Sequence, residues 1–225
     1  MKKTTIGPLE CLVKKGGEQH IVLFHGYGAN SADLYPLCHE ILSPEEADRF
    51  TWIFPNGPLP MPHFHGRAWF PIDMEHLMSK KGQDAFMQSR PKGLEEARLL
   101  AEDFFQALGV PYSQLILGGF SQGAMLATDC TLNLPENPLG LLILSGFLID
   151  HKGWPSRMMG RAGTRFCQTH GYQDDILHYA GAKELTTLLL EAGWHGAMTA
   201  FRGGHTIAPQ ALEALALFLR ASLAI

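Results

Sequence analysis

The chain has 225 residues, enough for one domain with a substantial core. Its apolar (46%) and charged (18%) fractions are those of an ordinary globular protein, and a net charge of −4 offers no basic stripe for nucleic acid. Lys2 and Lys3 have no apolar run behind them and no run is long enough to cross a bilayer, so neither a signal peptide nor stable membrane insertion is expected.

Cys11, Cys38, Cys130 and Cys167 are scattered without C-x-x-C spacing. They predict reduced, buried thiols of a cytoplasmic protein rather than a disulfide frame or a zinc site. Leu9–Lys14 predicts an edge strand, followed by the turn pair Gly16-Gly17. Ile21 to Phe24 is a continuous apolar run, the pattern of a strand buried on both faces of a parallel sheet. It runs into H-G-Y-G-A-N (His25 to Asn30), where two glycines permit a sharp loop and Asn30, Ser31 or Asp33 can cap a helix. Thr51–Phe54 predicts the next strand and meets the loop signal P-N-G-P at Pro55 to Pro58.

From Leu59 to about Lys92 the periodicity breaks down. Pro60, Pro62, Trp69, Phe70, Met74, Met78, Phe86 and Met87 make this segment too apolar for a solvated linker. Two roles fit it: covering a cleft and gripping an apolar substrate, or covering a sheet edge. His63 and His65 stand together there, but no third ligand has suitable spacing, so loop histidines and no metal are expected.

Gly93 to Leu108 predicts a helix with Ala97, Ala101, Phe104, Phe105 and Leu108 on one face. Leu115-Ile116-Leu117 is a short strand that passes through G-G-F-S-Q-G into a helix beginning at once. Ser121 sits in G-x-S-x-G between Gly119 and Gly123, a pattern that also occurs in plain glycine-rich turns. Here the strand before it and the small residues Ala124 and Ala127 after it favour a nucleophile elbow, a strained turn that exposes the hydroxyl. Gly140–Leu144, Thr164–Thr169 and Gly196–Phe201 predict three more strands, with a helix over 180–192. Pro209 opens a terminal helix, apolar nearly all round, that is either well buried or covered by another subunit. Alternating strands and helices imply an α/β fold with a largely parallel sheet and ligands beyond the carboxyl ends of its strands.

A serine nucleophile needs a base, and the base needs an anion. Of the histidines after Ser121, only His205 lies in a loop between the last strand and the terminal helix, with Gly203 and Gly204 to let it bend. His170 precedes the acids and is expected to pack near them, and His25 to position its own loop. Asp174 and Asp175 are adjacent after one strand; Asp174 is chosen as the acid, with Asp175 the alternative, and Asp129 and Asp150 are less well placed. Two backbone donors are nominated for the oxyanion: the N–H of Gln122 beside the nucleophile and that of Tyr27 after Phe24.

These motifs occur in one order along nearly the whole chain: L-F-H-G-Y-G-A-N, F-P-N-G-P, A-W-F (Ala68 to Phe70), G-G-F-S-Q-G, H-G-x-x-D (His170 to Asp174) and G-G-H (Gly203 to His205). In them the sequence resembles the phospholipase/carboxylesterase family of α/β-hydrolases, which includes bacterial carboxylesterases and acyl-protein thioesterases. The resemblance implies a Ser121–Asp174–His205 triad with an oxyanion hole from Tyr27 and Gln122. It implies cofactor-free hydrolysis of small-molecule or lipid-like esters and thioesters with apolar acyl groups, and often homodimers. It also places Trp69, with Phe70 beside it, as a substrate contact. Two departures stand out: Asp-Ile-Leu-His follows Asp174 where many members have a turn with proline and valine, and Ala29 replaces an aspartate frequent in eukaryotic members. The second points to the bacterial esterase branch. The expected function is a carboxylesterase for short to medium acyl chains. A lysophospholipase or acyl-protein thioesterase, and a catalytically silent binding protein of the same fold, are the alternatives.

Overall fold

The computed structural model describes residues 2–61 and 66–224, so Pro62, His63 and His65 lie outside the described residues. Within them the strands are β1 (Lys2–Ile6), β2 (Leu9–Lys14), β3 (Gln19–Phe24), β4 (Phe50–Pro55), β5 (Leu59–Met61), β6 (Gly66–Ala68), β7 (Leu115–Phe120), β8 (Gly140–Leu144), β9 (Arg165–Gly171) and β10 (His195–Phe201). The helices are α1 (Ser31–Leu34), α2 (Leu37–Glu40), α3 (Pro44–Ala47), α4 (Met74–Leu77), α5 (Lys80–Gln88), α6 (Leu94–Leu108), α7 (Gln122–Asn133), α8 (Trp154–Met159), α9 (Tyr179–Glu191) and α10 (Pro209–Ser222).

Eight strands form one sheet in the order β1-β2-β4-β3-β7-β8-β9-β10, parallel from β4 to β10 and antiparallel at β1 and β2. The period of two along each strand divides its side chains between two cores. Val22, Phe24, Leu117 and Ile143 face one side with α6, α7 and α9. Ile21, Leu23, Ile116 and Leu142 face the other with α1, α2 and α10. That double burial explains the unbroken apolar runs. This is an α/β-hydrolase architecture. From β3 the chain first adds β4 on one side and later β7 on the other, so the strand order reverses between β3 and β7. A crevice opens at the carboxyl ends of strands at such a point.

Leu9–Lys14 is not the edge strand expected. β1 covers it in antiparallel register, Lys2 opposite Val13 and Ile6 opposite Leu9. K-K-T-T-I is polar and mostly exposed, which suits a sheet edge and leaves little hydrophobic period to detect. The segment from Leu59 to Lys92 contains the β5–β6 hairpin, α4 and α5. Its far end is anchored by Arg90, whose guanidinium donates to both oxygens of the fully buried Asp129 at 3.0 and 3.1 Å. The Trp154 indole N–H donates to the same carboxylate at 2.8 Å. Asn30 caps α1 as anticipated, reciprocally with Asp33. The terminal helix α10 buries Ala211, Leu215, Ala216 and Leu219 against the sheet and leaves Leu217 67% exposed.

Candidate active site

Ser121 lies at the step from β7 to α7 with φ 55° and ψ −117°, a left-handed conformation that an L-residue holds only where its surroundings enforce it. The enforcement is close packing of backbone. A Cβ on Gly123 would lie 2.0 Å from the Phe24 carbonyl oxygen, and one on Gly119 would lie 2.4 Å from the Gly123 backbone, so both positions demand glycine. The helix therefore begins against the end of β3, and the Ser121 side chain is left at the rim, partly accessible.

His205 follows β10. Its Nδ1 lies 2.7 Å from Oδ2 of Asp174, which follows β9 and is 4% exposed. The neighbouring Asp175 points to solvent. Both oxygens of the buried Asp174 accept hydrogen bonds. Oδ1 accepts the N–H groups of Ile176 and Leu177 at 3.0 and 2.8 Å, while Oδ2 also faces His170 Nε2 at 3.2 Å. Burial alone raises the carboxyl pKa, but the hydrogen bonds from His170 and His205, the His205 charge and the Leu177 N–H outweigh it and hold the group well below the usual carboxylate range. The Ser121 hydroxyl and His205 Nε2 have no hydrogen-bond partner among the described residues. Both border the same cleft, and the Phe120 ring packs 4.9 Å from the imidazole.

The loop after β3 supplies Gly26 and Tyr27. His25 pins it from beneath: Nδ1–H donates to the Gly26 carbonyl at 2.7 Å, and Nε2 accepts the Gly57 N–H at 2.9 Å. That pair of bonds requires the neutral ring, and burial pushes the pKa down to about 4. The backbone N–H groups of Tyr27 and Gln122 have no acceptor among the described residues. The Gln122 side chain faces the other way, fully buried, accepting the Trp69 N–H at 2.9 Å and donating to the Phe70 carbonyl at 2.7 Å.

Trp69 and Phe70 do not line the cleft, contrary to their expected role as substrate contacts. They are 2% and 0% exposed, and the Trp69 indole N–H donates to the His25 carbonyl at 2.9 Å while its ring packs edge-on to Phe24. Large aromatic rings here contribute more by filling the core under the loop than by facing solvent. The cleft walls come instead from Ile72, Met74 and Leu77 of the 59–92 segment and from Met125, Ile176 and Leu177. Sequence reasoning also missed Gln83 on α5. Its buried amide donates to the Ile176 carbonyl at 3.0 Å and accepts the His178 N–H at 2.8 Å, tying α5 to the loop of Asp174. Nothing in its local sequence distinguishes it from a surface glutamine.

The cleft measures about 230 Å³. A larger cavity of about 640 Å³ lies between β1, the start of α1 and Arg67, and among the described residues no histidine lines it beside its one serine, Ser31. The smaller, apolar cleft is the one that Ser121 and His205 border together. Among the described residues no cluster of three or more metal-binding side chains is present.

A family profile described as Phospholipase/Carboxylesterase matches residues 13–223. The chain belongs to that family. As a phospholipase/carboxylesterase member it is an α/β-hydrolase acting on esters or thioesters. Acyl-protein thioesterase 1 of Emericella nidulans is 28% identical over 188 residues, 77% of this chain and 76% of its own. The Eremothecium gossypii protein of the same name is 26% identical over 214 residues, 90% and 87% of the two chains. Among solved structures, esterase PE8 superposes with a TM-score of 0.79 at 26% identity, covering 95% of this chain and 98% of its own. A Mesorhizobium loti carboxylesterase shares the fold at 19% identity, with a TM-score of 0.78 over 97% and 98% of the two chains.

Proposed function

We propose that this hydrolase is a cytoplasmic serine carboxylesterase for short- to medium-chain acyl esters, working through Ser121, His205 and Asp174. The observation that carries the proposal is the buried Asp174–His205 hydrogen bond at the rim of the cleft that Ser121 borders. Asp174, held ionised, fixes the His205 tautomer with its proton on Nδ1 and leaves Nε2 free to take the Ser121 hydroxyl proton. The serine oxygen attacks the acyl carbon, and the resulting oxyanion is received by the N–H groups of Tyr27 and Gln122, which have no competing acceptor among the described residues. Collapse breaks the bond to the alcohol or thiol, which leaves with the proton from His205. Water then repeats the sequence on the acyl-serine, freeing the acid and restoring Ser121. The open hydroxyl–imidazole pair is no objection, since such bonds tighten when substrate seats.

A cleft of about 230 Å³ is smaller than the ~300–1,000 Å³ usual for drug-sized ligands, which supports the chain-length limit. The named relatives favour a second reading, an acyl-protein thioesterase with the same chemistry. Hydrolysis of p-nitrophenyl acetate, octanoate and palmitate, beside an S-octanoyl cysteine peptide, separates the two. The expected result is a maximum at or below octanoate, abolished in Ser121→Ala. A steady rise to palmitate, or a strong preference for the thioester, favours the second reading. Failure of the native protein to cleave any of them or to react with a fluorophosphonate identifies a silent binding protein instead.

A further inference from the structure

Strand β8 carries none of the groups assigned to the reaction, yet it stands between β7, which delivers Ser121, and β9, which delivers Asp174. Its end is bonded to three places at once. The Leu144 carbonyl accepts the Ser121 N–H at 2.8 Å, and the Ser145 N–H donates to the Thr169 carbonyl of β9 at 2.9 Å. The Ser145 hydroxyl donates to the carbonyl of Thr206, the residue after His205, at 3.0 Å.

Ser145 is also strained. It is fully buried with φ 47°, a backbone region that glycine enters without penalty and a serine does not. A strained residue that persists in the core supplies something the unstrained residue lacks, and here that is the hydroxyl. The other hydrogen bonds on the 203–206 stretch among the described residues come from the acid loop: Gln173 N–H to the Gly203 carbonyl at 2.9 Å, and Asp174 to His205. Those couple base to acid. The Ser145 bond alone refers the base to the strand beside the nucleophile.

We infer that Ser145 is a positioning residue, its hydroxyl holding the His205 loop at the separation from Ser121 that proton transfer needs. The inference rests on the Ser121–His205–Asp174 reading. A displacement on the order of 1 Å at a reacting group can cost about 100-fold in rate, so the expected effect falls on kcat.

The test compares Ser145→Ala, which deletes the hydroxyl and keeps the strain, with Ser145→Gly, which deletes the hydroxyl and relieves it. Ser121→Ala is the reference, and p-nitrophenyl octanoate the substrate. Both Ser145 variants should unfold cooperatively near the wild-type temperature, lose about 10- to 100-fold in kcat, and keep KM within about twofold. The downfield proton resonance of His205 Nδ1–H should broaden or move in both. Recovery of kcat in Ser145→Gly means the position matters only as backbone and overturns the inference, as does wild-type kcat in either variant. If neither variant folds, Ser145 supports the fold rather than the site geometry and the inference falls as well. Activity surviving in Ser121→Ala overturns the catalytic reading itself, whereas full activity in the Ser145 variants with a dead Ser121→Ala overturns this inference alone.

Discussion

Acidification should destabilise this protein through one buried imidazole. His25 is fully buried and neutral, donating to the Gly26 carbonyl and accepting the Gly57 N–H, so a second ring proton would meet the Gly57 donor head-on. Burial, assisted by the Arg67 cation, lowers its pKa from 6.5 to about 4 against the opposing pull of the Gly26 carbonyl and Asp33. Between those values the unfolded chain binds a proton that the native protein does not. Stability from this group is therefore complete above about pH 6.5, falls as pH drops toward 4, and levels off below. The difference of about 2.5 between 6.5 and 4, at roughly 1.4 kcal/mol for each, amounts to about 3 kcal/mol. That is a large part of the ~5–15 kcal/mol typical of a native domain. Asp174 acts in a separate window: its depressed carboxyl contributes stability above its ordinary pKa of 3.8 and loses it only below. Urea unfolding of wild type and His25→Gln at several pH values between about 7.5 and 4 checks the claim. The variant lacks the titrating ring, so the wild type should lose about 3 kcal/mol more across the interval, with a slope approaching 1.4 kcal/mol per pH unit. Parallel slopes would refute the reasoning.

Asp174→Asn should lower kcat on the order of 10⁴-fold by destroying the tautomer of His205, while Asp175→Asn, exposed beside it, should stay within about twofold in steady-state assays. Gln122→Leu strands the Trp69 N–H and the Phe70 carbonyl in the core, and denaturant titration should show a loss of about 2–4 kcal/mol. Asp129→Ala leaves the buried Trp154 N–H unpaired, while Arg90 keeps Glu95 and Asp150 as partners. Unfolding should register about 1–3 kcal/mol lost, with kcat per folded molecule little changed because Asp129 is not part of the cleft. All four cysteines are free and buried, and burial pushes Cys11 and Cys167 up to about 12. At pH 8 a thiol reagent should therefore react fully only in denaturant; rapid labelling of the native protein would contradict the burial.

Local pattern was enough for seven of the eight strands of the sheet and for the longer helices, because a buried parallel strand reads as an unbroken apolar run and an amphipathic helix repeats every 3.6 residues. It was enough for Ser121 and His205 as candidates, because each needs glycines at fixed offsets that only a tight turn explains. β1 escaped because K-K-T-T-I is held by backbone pairing rather than by an apolar face. The helix α5 escaped because a short helix inside a proline-rich stretch leaves too few turns to show a period.

Which of two adjacent aspartates meets the histidine, and whether an aromatic ring faces a cleft or the core, were not local matters. Asp174 turns inward because His205 reaches it from the loop after β10, joining the nearby His170 and the N–H groups of Ile176 and Leu177. Trp69 and Phe70 turn inward because Gln122, more than fifty residues further along, takes hold of their backbone. Residue type and spacing are set along one dimension, and so the chemistry available to this chain was decided there. The direction a side chain takes depends on partners that only folding brings near, and a loop residue meets those partners across the sheet rather than along the chain.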